Sequence, residues 1–155
     1  MRRRRLHRRL RSAPEPSRGV PSHPGRTAEP PPMSADQDLN AFIRSTFRSV
    51  WSLELMLFLL RNRGRSWSRA ELVSAIRGSE AVVGQSLDTL LVAGLIDVDE
   101  HGAARFLPAA PDLERQALAT SELYARSPDA VRRMIVLSAN AGLAAFADAF
   151  RLRKD

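Results

Sequence analysis

The sequence predicts a mainly α-helical domain that carries one small β-hairpin. Serine residues repeatedly precede segments whose apolar residues recur every three or four positions, a pattern typical of capped amphipathic helices. A single stretch near residue 100 alternates apolar and polar residues on both sides of a glycine-containing turn, as a hairpin does. With 155 residues the chain is long enough for one domain and short for two.

The first 32 residues differ sharply in composition from the rest. They hold nine arginines and two acidic residues, whereas residues 33–155 hold 15 basic and 15 acidic residues. The net charge of +7 therefore belongs to the first segment. Residues 12–32 are rich in proline and poor in large apolar side chains, so they cannot bury enough surface to offset the entropy of ordering. We expect residues 1–32 to be a disordered Arg/Pro-rich segment and residues 33–155 to form a single domain.

Two interpretations of the first segment stay open. In one, residues 2–11 are a basic arm that binds phosphates or anionic lipid, with Leu6 and Leu10 four positions apart. In the other, which we favour, Met33 is the true start and residues 1–32 are translated upstream sequence. The arginine-rich opening lacks the apolar region of a secretion signal, so we expect no export and a cytoplasmic protein. The absence of cysteine suits a reducing compartment.

The first two helices follow directly. Ser34 and Gln37 have the spacing of a capping box, and the residues after them predict an amphipathic helix over about 35–48. Residues 50–61 are apolar nearly all round, which predicts the central, most covered helix, with Gly64 near its end.

Two features of the predicted central helix raise separate expectations. Its one interior charge, Glu54, must face solvent or find a partner. Its strongly apolar run, Leu55 to Leu60, is far shorter than the roughly 20 residues that span a bilayer, so we expect no membrane segment.

A short helix, a longer helix and the hairpin come next. Ser68 and Glu71 form a second capping box, and Arg77-Gly78 ends the short helix. Ser79 caps a helix over 80–93. The residues expected on its buried side are Val83, Leu87, Leu90 and Leu91.

The hairpin and two further helices complete the domain. Residues 95–99 and 103–107 form the two strands, joined by a tight turn at Glu100-His101-Gly102. One helix follows Pro111, and Ser127-Pro128-Asp129 starts the last one. Gly142 marks a point where that last helix bends or breaks.

Residues 50 to about 108 resemble the winged helix-turn-helix domain of bacterial transcriptional regulators. The resemblance rests on Leu53 to Leu60 as first helix, Trp67-Ser68 and Glu71-Leu72 opening the second, Ser79 to Ala93 as third, and Ala93-Gly94-Leu95-Ile96 leading into the wing. It covers a little over a third of the chain. It implies that residues 79–92 lie in the major groove and that residues 99–105 touch phosphate or the minor groove.

The same resemblance implies partners. The flanking helices, 35–48 and 111–150, correspond to added dimerisation helices, so a homodimer through the terminal helices is expected. Two-fold symmetry then places half-sites about one helical turn apart on double-stranded DNA.

The groove-facing side of the third helix would carry few charges. By helical spacing it consists of Ala81, Val82, Gln85, Asp88, Thr89 and Val92. We expect base contacts from Ala81, Val82, Gln85 and Thr89, with Gln85 suited to an adenine edge and Ala81 or Val82 to a thymine methyl. Asp88 would be repelled by phosphates.

Positive charge flanks this helix instead of lying on it. The arginines expected to contact phosphates are Arg61, Arg63, Arg65, Arg69, Arg77 and Arg105. The alternative is that the arginines of the 61–69 loop are ordinary solvated residues.

Other kinds of site find little support in the sequence. Trp67 suits a core anchor better than a base-stacking platform, and Asp97, Asp99 and Glu100 suit a charged strand edge better than a cation site. His101 has no partnered nucleophile, and no catalytic triad, glycine-rich phosphate loop or metal spacing is present. We therefore expect no enzyme activity, no cofactor, no metal and no membrane partner.

The sequence thus predicts a winged-helix transcriptional regulator that reads duplex DNA with residues 79–93. The main alternative is a winged-helix protein-interaction module, for which the exposed valines Val82 and Val92 would serve as contacts. A third interpretation is a nucleic-acid binder that acts through residues 2–11 alone.

Overall fold

A computed structural model describes residues 34–151, which form a mainly α-helical fold with a small antiparallel hairpin, as the sequence predicts. In chain order the elements are α1 (Ala35–Thr46), α2 (Val50–Arg61), α3 (Arg69–Ile76), α4 (Glu80–Val92), β1 (Ile96–Val98), β2 (Ala104–Phe106), α5 (Pro111–Arg126) and α6 (Pro128–Arg151). The expectations for residues 1–32, including the disordered segment, the basic arm and the start at Met33, concern residues outside this range.

The helices begin where the sequence predicts because serine side chains cap them. Ser34 and Ser68 each accept a hydrogen bond from the backbone N–H three residues on, and the side-chain oxygens of Gln37 and Glu71 accept one from the backbone N–H of the cap residue. Ser79 accepts from the backbone N–H of Val82. A further capping box, between Ser49 and Ser52, starts α2. Helix α1 ends at Thr46, two residues earlier than expected, because Phe47 is extended.

Helix α2 is the centre of the core, as predicted. Its fully buried residues are Leu53, Leu55, Met56, Leu57 and Leu59. It packs against α3, α4, β2 and α6, so its side chains contact both the helical layer and the hairpin. Burial on nearly all sides accounts for its almost continuous apolar sequence.

The hairpin is shorter than expected and is joined to a third segment. Ile96 pairs with Phe106 and Val98 with Ala104. Trp67 and Ala104 exchange two backbone hydrogen bonds of 2.8 Å, so the loop before α3 extends the hairpin on its other side. The Trp67 ring lies 4.8 Å from the Phe58 ring, edge to face, which confirms its role as a core anchor.

The short helix ends at Arg77-Gly78, as predicted, and Arg77, with φ of 54°, takes the left-handed conformation that closes it, while Gly78 has no positive φ. Two other local predictions are wrong. Leu91 is 47% exposed, because the buried side of α4 consists of Val83, Ser86, Leu87 and Leu90. Helix α6 continues without interruption through Gly142 to Arg151.

Helices α5 and α6 pack on each other and on α1. Val131 and Ile135 are fully buried, whereas every residue from Asn140 to Arg151 is exposed. Among residues 34–151, α6 is the helix that is long and apolar enough, by length and composition alone, to cross a membrane. The sequence had predicted no such segment, because the apolar run that we considered lies in α2.

Candidate nucleic-acid interface

The outer face of α4 carries the four residues expected to contact bases. Ala81 and Gln85 are exposed, and Val82 and Thr89 are half-buried. The Thr89 hydroxyl donates to the Gln85 carbonyl at 2.9 Å, so its proton is used within the helix and its oxygen stays free to accept. These side chains share one accessible face because the apolar residues of α4 point to α2 and α3.

This face is weakly acidic. Glu80 and Asp88 are exposed on α4, which contains no lysine or arginine. Any attraction for a polyanion must therefore come from neighbouring elements.

Arg69, at the start of α3, is the arginine that lies directly against α4. A Cβ atom built on Gly84 would stand 3.4 Å from its Nη1, so the glycine leaves room for the guanidinium. Arg69 also lines a groove of about 280 Å³ with Asp88 of α4 and His101 and Gly102 at the hairpin turn. No acid of residues 34–151 is within ion-pair distance of Arg69, which leaves its charge available.

Arg65 and Arg105 flank the Trp67–Ala104 bridge, and each is held by a neighbouring acid. Arg65 lies 3.0 Å from Glu71 and stacks 3.4 Å from the centre of the Trp67 ring. Arg105 lies 3.0 Å from Asp97 on the opposite strand. Both arginine side chains are about half exposed, and surface ion pairs of this kind contribute only about 0–1 kcal/mol. A phosphate would therefore displace either carboxylate at small cost.

The other three predicted phosphate contacts lie elsewhere. Arg63 pairs with Glu114 of α5 at 3.0 Å and stands 5.2 Å from the Phe106 ring, so it joins α5 to the hairpin. Arg61 and Arg77 line a separate cavity of about 480 Å³ between α2, α3 and α6. The six arginines thus divide into a group near α4 and the hairpin, a link to α5, and a pair beside α6.

Glu54, the interior charge of α2, also lines that cavity. Its carboxylate interacts with two side chains of other helices. The Tyr124 hydroxyl donates to Glu54 Oε1, and Arg132 Nη2 lies 3.8 Å from the same oxygen. Burial, and then the hydrogen bond to the Glu54 carboxylate, raise the pKa of Tyr124. Tyr124 is 70 residues from Glu54, so no local sequence pattern could reveal the pair.

The acids of the hairpin have structural partners. Asp99 Oδ1 accepts backbone hydrogen bonds from His101 and Ala103, both at 2.9 Å. The bond from Ala103 is the main reason that the pKa of Asp99 lies below its usual range. Asp97 is paired with Arg105, which fits the charged strand edge that we expected.

Comparison with protein-family models, with curated proteins and with solved structures finds no match for this chain. The arrangement of α4, Arg69 and the hairpin is therefore the observation from which function is argued.

Proposed function

We propose that this protein is a winged-helix regulator that binds duplex DNA with α4 in the major groove. The observation that carries the proposal is the open face of α4 around Gln85, bordered by the hairpin and by Arg69, which has no ion pair within residues 34–151. The element order of α2, α3, α4 and hairpin supports it, because it is the order of a winged helix-turn-helix domain. In this proposal the protein is cytoplasmic and acts as a homodimer.

The base contacts come from the exposed side of α4. The Gln85 amide can pair with the N6 and N7 edge of adenine, and the methyl groups of Ala81 and Val82 suit the thymine methyl. The Thr89 oxygen accepts a hydrogen bond from a base amino group. Glu80 and Asp88 repel phosphates on the same face, which favours weak binding to unmatched DNA.

Phosphate contacts are ranked by the positions of the arginines. Arg69 contacts the backbone directly, and Arg65 and Arg105 exchange Glu71 and Asp97 for phosphate oxygens. Arg63 contacts phosphate only after its ion pair with Glu114 breaks. Arg61 and Arg77 contact DNA only if the duplex runs past the end of α3 towards α6.

The first experiment measures DNA affinity of the full chain across a salt series by fluorescence anisotropy. Each phosphate contact contributes about 0.9 to the slope of log affinity against log salt. We expect Arg69→Ala to weaken binding and reduce the slope by about one contact. Arg115→Ala is the matched control, because Arg115 is exposed on α5 and paired with Asp112. Equal slopes for the two variants would contradict the assignment.

The same series on a chain that starts at Met33 separates α4 from the basic first segment. If affinity and slope vanish when residues 1–32 are removed, the first segment is the nucleic-acid binder. Selection of sites from a random library followed by Gln85→Ala then tests readout. The substitution should weaken binding to the selected site by roughly 1–3 kcal/mol and leave the affinity for random DNA unchanged.

A protein-interaction module is the second candidate, and one observation favours it. Val92 is 90% exposed at the end of α4 and, with Phe42 and Leu113, lines a groove of about 650 Å³. This end of α4 is apolar, as protein interfaces are at their centres. Val92→Ala adds no charge to α4, so it should leave DNA affinity within twofold if α4 reads DNA through Gln85, and should strongly weaken partner capture if α4 is a protein-binding helix.

A further inference from the structure

The second half of α6 exposes a large apolar surface. We call residues 136–151 the α6 arm. Its exposed large side chains are Val136 (48%), Leu137 (62%), Leu143 (68%), Phe146 (63%) and Phe150 (62%). Soluble monomers rarely leave so many large apolar residues open on one helix, so such a surface marks an interface.

The arm continues the buried side of α6 beyond the rest of the fold. Val131 and Ile135 are fully buried, and Gly142 and Phe146 follow on the same side at helical spacing. Phe146 and Phe150 stack with ring centres 4.7 Å apart. Between the arm and the end of α1 lies an open groove of about 890 Å³, whose apolar walls are Phe47, Leu143 and Phe146.

We propose that the α6 arms of two copies of this chain pack antiparallel about a two-fold axis near Gly142, so that Phe146 of each copy enters the groove between α1 and α6 of the other. The proposal rests on the homodimer of the proposed function and names its interface, while its tests measure self-association without DNA. It selects α6, among the terminal helices, as the surface on which two copies meet.

Antiparallel packing follows from where the arm is covered and where it is open. The first half of α6 is occupied by α1, α2 and α5 of its own chain. In a parallel pair the α1, α2 and α5 helices of both copies would lie at the same end of the paired arms. They would then keep the apolar sides of the arms apart. In an antiparallel pair each arm lies against the body of the other copy, and the helix dipoles are favourably opposed.

Gly142 is a fitting centre for such a crossing. Glycine inside a helix costs about 1 kcal/mol relative to alanine. A Cβ atom at Gly142 would meet nothing within 4 Å, so contacts within the described residues give no reason for the glycine. In the pair, the missing side chain lets the two helix axes approach closely.

The exposed area suits a second copy. Val136, Leu143, Phe146 and Phe150 fall on one side of the arm by helical spacing, and Leu137 lies on the other. Because the four are about half to two-thirds exposed, they offer on the order of 400 Å² per chain. Two arms then bury roughly 800 Å², and the groove walls bring the total towards the 1,200–2,000 Å² of a stable interface.

The first test is the oligomeric state of the full chain by sedimentation equilibrium. We expect a dimer, and we expect Phe146→Glu with Phe150→Glu to raise the dimer dissociation constant at least ~100-fold. Leu118→Glu is the matched control, since Leu118 is 41% exposed on α5, and it should leave the dimer intact. Circular dichroism identifies any variant that has lost its fold.

The second test uses the absence of cysteine from the chain. Gly142→Cys should give a disulfide-linked dimer under mild oxidation, because the two-fold axis brings that position close to its own copy. Ser138→Cys and Ala145→Cys lie about one turn on either side of the axis. We expect a mixture of the two variants to cross-link efficiently and each alone to cross-link poorly.

Three outcomes overturn the proposal. One is a full chain that stays monomeric. Another is a dimer whose dissociation constant is no more affected by the two phenylalanine substitutions than by Leu118→Glu. The last is an arm that binds phosphatidylcholine–phosphatidylglycerol vesicles while the protein stays monomeric in their absence, in which case a bilayer covers the apolar side.

Discussion

At the scale of single residues, Arg77 is the clearest case of local strain. Within residues 34–151 it is the non-glycine residue with a positive φ, at 54°. The left-handed conformation costs an L-residue roughly 1–2 kcal/mol, which glycine avoids.

We therefore expect Arg77→Gly to raise the free energy of unfolding by about 1 kcal/mol, measured by urea denaturation. Gly78→Ala is the matched control. Its new Cβ would meet Ile76 and Val82 at ordinary distances of 3.5–3.6 Å, so stability should change little or rise slightly. A gain for Gly78→Ala with none for Arg77→Gly would mean that the helix is closed differently.

Tyr124 supplies a pH-dependent contribution to stability. Its hydroxyl donates to Glu54, and its raised pKa means that the folded protein keeps the phenol proton above pH 10, where the unfolded chain loses it. This contribution is complete below about pH 10 and is lost as pH rises through the folded pKa.

Tyr124→Phe should lower the free energy of unfolding by about 1–2 kcal/mol at pH 7 and remove the loss above pH 10. The chain has a single tyrosine, so tyrosinate absorbance at alkaline pH reports this group directly. An unperturbed titration of the wild-type protein would rule out the hydrogen bond.

At the scale of the elements, helix starts are encoded locally and helix ends only in part. Ser34, Ser68 and Ser79 can be recognised from sequence because a cap and its partner lie within three residues. The end of α3 at Arg77-Gly78 can also be recognised, but not that Arg77 takes the left-handed conformation, because glycine is the residue that ordinarily does so. The cap of α2 was missed because Ser49 and Ser52 form a box without the usual Glu or Gln.

The cap of α3 gives a test at this scale. Ser68→Ala should cost about 1 kcal/mol of unfolding free energy, because the N–H of Glu71 loses its acceptor. Ser74→Ala in the exposed middle of the same helix is the control and should be neutral or slightly stabilising.

Glu71 adds a pH dependence to the same cap. The Ser68 backbone N–H donates to Glu71 Oε2 at 2.8 Å and is the main reason that the pKa of Glu71 is lowered. Its stabilisation is present above about pH 4.5 and is lost as pH falls through the folded pKa. Glu71→Gln should flatten the acid side of the stability curve, as followed by thermal melts between pH 3 and 6.

The candidate site was predictable from the sequence only where it depends on residues close together in the chain. The open face of α4 follows from helical spacing, which places Gln85 opposite Val83 and Leu87. The division of the arginines does not follow from sequence, because it depends on distant partners. Arg63 is held by Glu114, 51 residues away, and Arg77 meets α6 across a cavity.

At the scale of the whole molecule, α2 packs against α3, α4, β2 and α6 at the centre of the core that the structure describes. Leu57 is fully buried in its centre. Leu57→Ala should cost about 2–5 kcal/mol, because the cavity cannot collapse between so many packed elements.

The loss should be cooperative, with tryptophan fluorescence and circular dichroism giving the same transition. Leu118→Ala, at a half-exposed position on α5, should cost less than about 1 kcal/mol. Separate transitions for the two probes would mean that the hairpin and the helices unfold independently.

The backbone pairing of Trp67 with Ala104 has a mechanical consequence. The return strand is fixed on one side by Ile96 and on the other by the segment that leads into α3. A force applied to the hairpin tip is therefore transmitted to α3, because the hairpin cannot move independently of that helix. The Trp67 amide, although outside any helix, should exchange with deuterium as slowly as the amides of α2.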